Sequence, residues 1–336
     1  MDSSKISPAR PGPAESSARS RIRVLLVLGR VSNLPTVWSN CLAAWLLAGG
    51  GSRNRFALVC LGAAFLYTGG MFLNDAVDEA FDRRYRSERP IPSGHISHRS
   101  VWIFSLVWLT LGWVAFLLLG TSSLLIASAL LGAIVIYDFV HKHTRLAPLL
   151  MAACRFLLYL VAASAAGDGA NRAVLWRAAA LAAYIIGLSY LARGESTGAG
   201  SLQWTGLLLF VPTLTAFIRP AAGIPLLLGF AAIQFAWTFW SLFARNARRE
   251  IPVSVAGEQV QMMNRARAPS HSQSPSSDLP KTAALDLSSL IPSGVPGLLA
   301  GIVLVDLLAA SGLGLAPVFI ALFLLAFVLQ RLTPAT

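Results

Sequence analysis

The sequence predicts an all-α, polytopic membrane bundle. Of 336 residues, 55% are hydrophobic and only 12% are charged, against about 25% charged in soluble domains. The apolar residues fall in runs of roughly 20, the length a helix needs to cross about 30 Å of hydrocarbon. The basic residues gather at the ends of those runs. Mean hydropathy, +0.64, agrees.

The elements follow in order. Residues 1–20 are rich in Ser, Pro, Ala and Arg and read as a disordered tail. Apolar spans are expected at 22–48, 55–80, 100–119, 122–139, 147–166, 173–192, 202–218 and 222–243. The first run is too long for a signal peptide and carries Arg30 and Asn33. Pro35 is expected to kink it. Residues 244–286 are polar and read as a loop. The apolar stretch 291–331 forms one tilted span or, broken at Gly312 and Gly314, two, for nine or ten helices in all. The spans and their connections thus make one transmembrane domain, 21–331.

Net charge is +12. Its placement excludes a nucleic-acid partner: no basic groove or stacking platform is evident. Instead, Lys5, Arg10, Arg19, Arg21 and Arg23 precede the first span. Arg83, Arg84, Arg86, Arg89 and Arg99 follow the second, Lys142 and Arg145 the fourth, and Arg245, Arg248 and Arg249 the eighth. These fall on one side, which the positive-inside rule makes cytoplasmic. The Ala- and Arg-rich composition points to a bacterial cytoplasmic membrane. Cys41, Cys60 and Cys154 lie in apolar runs at no metal-binding or disulfide spacing and read as core residues. The pairs His95/His98 and His141/His143 have no carboxylate at ligand spacing and read as loop residues rather than a zinc site.

The chemistry concentrates where the second span ends, Asn74-Asp75-Ala76-Val77-Asp78-Glu79-Ala80-Phe81-Asp82. At about 100° per residue, Asp75, Asp78 and Asp82 share one helix face, bordered by Asn74. Three carboxylates beside lipid repel one another unless a cation lies between them. Magnesium suits such oxygen ligands and binds through one or two carboxylates plus substrate phosphate. A solvated helix end paired with Arg83, Arg84 and Arg86 is the competing reading. Then comes Arg89-Pro90-Ile91-Pro92-Ser93-Gly94, a rigid turn.

N-D-x-x-D-x-x-x-D followed by R-P-I-P-S-G resembles the UbiA superfamily of intramembrane prenyltransferases, and the hydropathy pattern matches from about residue 22 to 330. The resemblance implies nine helices around a central cavity capped on the cytoplasmic side. It implies transfer of an isoprenyl group from its diphosphate to a small, often aromatic acceptor. Asn74, Asp75, Asp78 and Asp82 then hold Mg2+ against the diphosphate, with Arg89 close by. A basic stretch after helix 4 grips the phosphates; here it offers Lys142 first and Arg145 second, beside Tyr137. Arg155, an arginine inside a span, needs an anion and is a further phosphate contact or a structural partner of Asp138 or Asp168. Asn33 and Asn40, seven apart, share a face and either line the cavity or bond helix to helix. Asp306 has no partner visible in sequence.

One feature departs from the family. A second acidic motif, D-x-x-x-D, belongs after helix 6, where this chain reads Tyr190-Leu191-Ala192-Arg193-Gly194-Glu195-Ser196. Glu195 alone remains as an acidic ligand, and Arg193 stands in for a second metal on the phosphate oxygens. This segment resembles the UbiA-like branch called EboC. Two function classes follow: magnesium-dependent prenyl transfer, with Tyr137, Tyr190 or Trp38 against the developing cation, or a non-catalytic component that binds or transports a prenyl diphosphate or metabolite. An ordinary ion-coupled carrier fits less well, because its charges belong near the midplane. The sequence leaves acceptor, chain length and oligomeric state open.

Asp78 lies centrally on the acidic face. Asp78→Asn is expected to weaken magnesium-supported binding of a diphosphate analogue at least tenfold, roughly 1.4 kcal/mol. Binding titrations with and without magnesium check this; an unchanged, metal-independent affinity means that the acidic stripe is structural.

Overall fold

The computed structural model describes residues 13–197, 203–218, 223–249, 294–312 and 314–333. Among these, all regular structure is helical. The α-helices are α1 (Pro13–Leu28), α2 (Leu34–Leu47), α3 (Arg53–Val77), α4 (Glu79–Tyr85), α5 (His98–Leu117), α6 (Thr121–Val140), α7 (Ala147–Ser164), α8 (Arg172–Thr197), α9 (Val211–Ile218), α10 (Ile224–Arg249), α11 (Val295–Ala309) and α12 (Ala316–Leu332). Short 3-10 turns, Val31–Asn33 and Gln203–Phe210, precede α2 and α9. Among the described residues, six helices are long and apolar enough to cross a membrane. Their outward faces carry exposed Leu, Ile, Val and Phe, such as Leu106, Leu125, Ile136 and Phe239. In water such a surface aggregates; in lipid it is the solvated face. The chain is an integral membrane protein.

Several boundaries differ from the sequence reading. The first span is two helices: the chain breaks at Arg30, whose φ is 43°, and Pro35 sits in the first turn of α2 instead of kinking a helix interior. A proline costs nothing at that position, because its missing N–H has no intrahelical acceptor. Helix α1 starts at Pro13, inside the stretch read as a tail; residues 1–12 lie outside the described residues. The stretch 291–331 is two helices, α11 and α12, separated at Gly314, whose φ is 74°. Of the polar loop 244–286, residues 244–249 extend α10 and the rest lies outside the described residues.

Two short helices form the centre. Helix α2 lies against α3, α7, α11 and α12, and α11 against α2, α8, α10 and α12. Both are buried on nearly every side. At 15 residues, α11 is about 22 Å long, too short to cross hydrocarbon alone, so neighbouring protein must surround it. The long α3 packs instead on α5, and closely. A Cβ added at Gly69 meets the backbone nitrogen and Cγ of Leu109 at 2.8 Å; one at Gly112 meets the backbone nitrogen of Leu66 at 2.8 Å. Glycines on both helices bring the backbones together, the commonest way for membrane helices to gain dispersion contact. Ser105 Oγ then donates to the Gly69 carbonyl at 3.0 Å.

Gly69→Ala is therefore expected to lower the melting temperature of the detergent-solubilised protein by forcing α3 from α5, a loss of about 1–3 kcal/mol. The same substitution at Gly132, where an added Cβ has nothing within 4 Å, leaves it unchanged.

Candidate functional site

The acidic stripe spans the junction of α3 and α4. Asp78 sits between them, yet the backbone bonds Asp78 N–H to Asn74 O and Asp82 N–H to Asp78 O, both 2.9 Å, keep the helical track. The shared face foreseen at that spacing therefore survives the break. All three carboxylates are buried.

The turn after α4 folds back on them. Ser93 N–H to Arg89 O and His95 N–H to Pro90 O, each 3.0 Å, close it, and Gly94 supplies a φ of 77°. Ile91 anchors it in a small core with Leu28, Phe72, Ala76 and Val101. Arg89 is thereby aimed inward. Its Nη1 lies 3.0 Å from Asp75 Oδ1 and 3.0 Å from Asp82 Oδ2. One cationic atom thus stands between two carboxylates from successive helices.

Asp78 turns the other way, towards the end of α6. Lys142 Nζ is 2.7 Å from its Oδ1 and His141 Nε2 is 3.6 Å from its Oδ2. Lys142 also lies 3.9 Å above the Phe81 ring, and His141 stacks on Tyr137. Burial alone would raise the Asp78 pKa, but His141 and Lys142 outweigh it and hold the carboxyl below its usual range. Burial would lower the His141 pKa; the facing Asp78 outweighs that and raises it. Both shifts favour the charged forms of the two groups.

A third group comes from the break after α1. Arg30 Nη2 donates to Asn74 Oδ1 at 3.4 Å and lies 3.7 Å from Asp75 Oδ1. Its left-handed backbone, which costs a non-glycine residue roughly 1 kcal/mol or more, is the conformation that ends α1 here. Asn74 Nδ2 donates to Asp138 Oδ1 at 3.2 Å.

The donor set fits a hard cation. Asp75, Asp78, Asp82 and Asp138 offer oxygen alone, and two carboxylates already converge on one cationic atom. Among the described residues, Asp82 Oδ1 and Asp138 Oδ2 are buried without a hydrogen-bond partner, which a ligand or ion at this place would relieve. No group of three His, Cys, Asp or Glu side chains stands ready as a cage among the described residues.

Behind the acids, α3, α6 and α7 line a partly open apolar cavity of about 80 Å³. Tyr67, Tyr137, Asp138 and Arg155 supply its polar edge, and Leu66, Ile134 and Leu158 are among its apolar walls. Arg155 Nη1 donates to Asn40 Oδ1 at 2.8 Å and Nη2 to Thr36 Oγ1 at 3.1 Å.

The candidate residues thus fall into three groups. Asn74, Asp75, Asp78, Asp82, Arg89 and Lys142 come together, joined by Arg30, His141 and Asp138. Arg30 was visible only as a polar interruption of the first span, and His141 only as a loop histidine. Tyr137, Asn40 and Arg155 line or support the cavity; Asn33 is buried at its helix break, with Oδ1 lacking a hydrogen-bond partner among the described residues. Tyr190 and Arg193 go elsewhere. Arg193 Nη1 donates to the Thr144 carbonyl at 2.7 Å, and Tyr190 OH to the Arg145 carbonyl at 3.3 Å. Both brace the α6–α7 connection, and the Arg145 side chain is exposed. The Glu195 side chain lies outside those described.

Residues 33–254 match the UbiA prenyltransferase family. The chain belongs to that family. A 4-hydroxybenzoate octaprenyltransferase of Pectobacterium carotovorum is 28% identical over 127 residues, 37% of this chain and 44% of that protein; the chain spans about half the length of the curated relatives it matches. Among solved structures, an apo UbiA homolog from Aeropyrum pernix K1 superposes with a TM-score of 0.55 at 16% identity, over 65% of this chain and 89% of that one. A UbiA homolog from Archaeoglobus fulgidus, bound to GPP and Mg2+, gives 0.50 at 16% identity over 88% and 99%. These likenesses establish the UbiA fold.

Arg89→Gln leaves Asp75 and Asp82 facing each other without their shared cation. A loss of about 3 kcal/mol is expected in metal-free buffer. Magnesium is expected to restore the melting temperature of this variant more than that of the wild type. Thermal unfolding with EDTA and with magnesium measures both.

Proposed function

We propose that this chain is a membrane-embedded prenyltransferase that uses Mg2+ to move an isoprenyl group from its diphosphate to a small aromatic acceptor. The observation that carries the reading is the junction itself. Buried carboxylates from α3, α4 and α6, interleaved with Arg30, Arg89, His141 and Lys142, stand at the mouth of an apolar cavity. A diphosphate carrying a hydrocarbon tail has that polarity. The relatives' name supplies the acceptor class, and the ligands of the Archaeoglobus fulgidus homolog supply the diphosphate and the ion.

Asp75, Asp78 and Asp82, with Asn74, would hold the ion. Magnesium supplies Lewis acidity and charge neutralisation at the leaving diphosphate. The chain's own residues do the rest. Arg30, Arg89 and Lys142 are paired with carboxylates, and an arriving diphosphate exchanges those partners for phosphate oxygens, placing positive charge where the leaving group gains it. The allylic C–O bond breaks, and its electron pair leaves with the diphosphate. Tyr137 and Tyr67 line the cavity, where aromatic side chains stabilise a carbon with cationic character. The acceptor's nucleophilic atom then forms the new bond to that carbon and gives up a proton. The apolar walls keep water from competing. Arg155, buried at the cavity edge, suits an anionic oxygen group. The basic ends of the spans favour a cytoplasmic position for this site and the N-terminus.

A second reading has its own observation. Where the second acidic motif belongs, Arg193 and Tyr190 brace a loop. That favours a component that binds a prenyl diphosphate without cleaving it.

Lipid-reconstituted protein is expected to release pyrophosphate from an allylic diphosphate when magnesium and an aromatic acceptor are present, and none with EDTA. Mass spectrometry of the lipid fraction is expected to show prenylated acceptor. Tight binding of the diphosphate with no product across chain lengths and acceptors would leave the second reading standing.

A further inference from the structure

Asp306 lies on α11, fully buried, and the chemistry above does not use it. Its Oδ2 accepts from Ser39 Oγ at 2.6 Å and from Asn40 Nδ2 at 2.7 Å; its Oδ1 accepts from Tyr159 OH at 2.8 Å. The donors come from α2 and α7. An amide has two unlike ends. Because Asn40 Nδ2 is committed to Asp306, Asn40 Oδ1 must face the opposite way, and there it accepts from Arg155 Nη1 at 2.8 Å. Thr36 Oγ1 donates to the Asn33 carbonyl at 2.7 Å, which leaves its lone pairs for Arg155 Nη2 at 3.1 Å. The order is carboxylate, amide, guanidinium, cavity.

The interposed amide matters. A carboxylate in direct contact with Arg155 would occupy its donors and cancel its charge. Asn40 transmits an orientation and leaves the charge available. A guanidinium has five N–H donors, of which Asn40 and Thr36 take two. We infer that Asp306 is a positioning residue, which through Asn40 sets the direction in which Arg155 presents its charge to an anionic oxygen group of a substrate in the cavity. This rests on the prenyl-transfer reading. That oxygen group belongs to the diphosphate or to a carboxylate on the acceptor.

Full-length protein in nanodiscs separates the cases, with magnesium pyrophosphate and 4-hydroxybenzoate as probes. In Asp306→Asn the new side chain no longer dictates the Asn40 amide, and binding of one probe is expected to weaken about tenfold; which probe suffers identifies the source of the anion. Tyr159→Phe removes a different hydrogen bond from the same carboxylate. It is expected to lower the melting temperature comparably, with affinity kept within about twofold. The double variant Asn40→Asp/Asp306→Asn moves the acid next to Arg155. It should recover the melting temperature without recovering affinity, an outcome that a purely structural role does not produce. An unchanged affinity in Asp306→Asn, equal losses in Asp306→Asn and Tyr159→Phe, or affinity regained in the double variant overturns the inference alone. A wild type that binds neither probe overturns the prenyl-transfer reading and this inference with it.

Discussion

Charge balance at the edge of a low-dielectric slab governs this molecule. Asp75, Asp78, Asp82 and Asp138 are all at least nine-tenths buried, and ionised carboxylates there are costly unless paired and hydrogen-bonded. The chain answers from three separate places in sequence: Arg30 from the break after α1, Arg89 from the turn after α4, and His141 with Lys142 from the end of α6. Each needs its own backbone device to arrive: a left-handed residue, a proline-glycine turn, a helix terminus. The local irregularities of the fold are thus concentrated where the acids demand cations.

Much of this was legible in the sequence, for physical reasons that differ from residue to residue. The apolar runs declared the helices because lipid enforces length and composition together. Asp75, Asp78 and Asp82 declared a face because helical spacing is rigid. Lys142 was legible because it follows the fourth span on the same side. What stayed hidden depended on direction. Nothing in R-P-I-P-S-G says that the turn carries Arg89 back onto Asp75 and Asp82 rather than out to a ligand. Arg193 looked like a replacement cation because only its place in the chain was known; its side chain runs to the Thr144 carbonyl. Pro35 was misplaced because the chain breaks first at Arg30, so that Pro35 falls in the opening turn of a new helix.

Asp306 shows the limit most clearly. As a lone acid in an apolar run it had no partner to be found by periodicity, since its donors Ser39, Asn40 and Tyr159 lie far away in the chain. Two centrally placed helices, α2 and α11, meet at this carboxylate. They are too short and too enclosed to be held by lipid, and polar bonds that would be weak in water fix their register here.

The glycine seam between α3 and α5 has a mechanical consequence. Backbones in direct contact leave no side-chain layer to slide or repack, so α3 is a fixed wall. It carries the acidic stripe at its end and forms one side of the cavity. The α6–α7 connection on the other side is braced by hydrogen bonds from Tyr190 and Arg193 to two of its carbonyls. The segment that stands where a second acidic motif was expected therefore braces the connection beside the site instead of lining it.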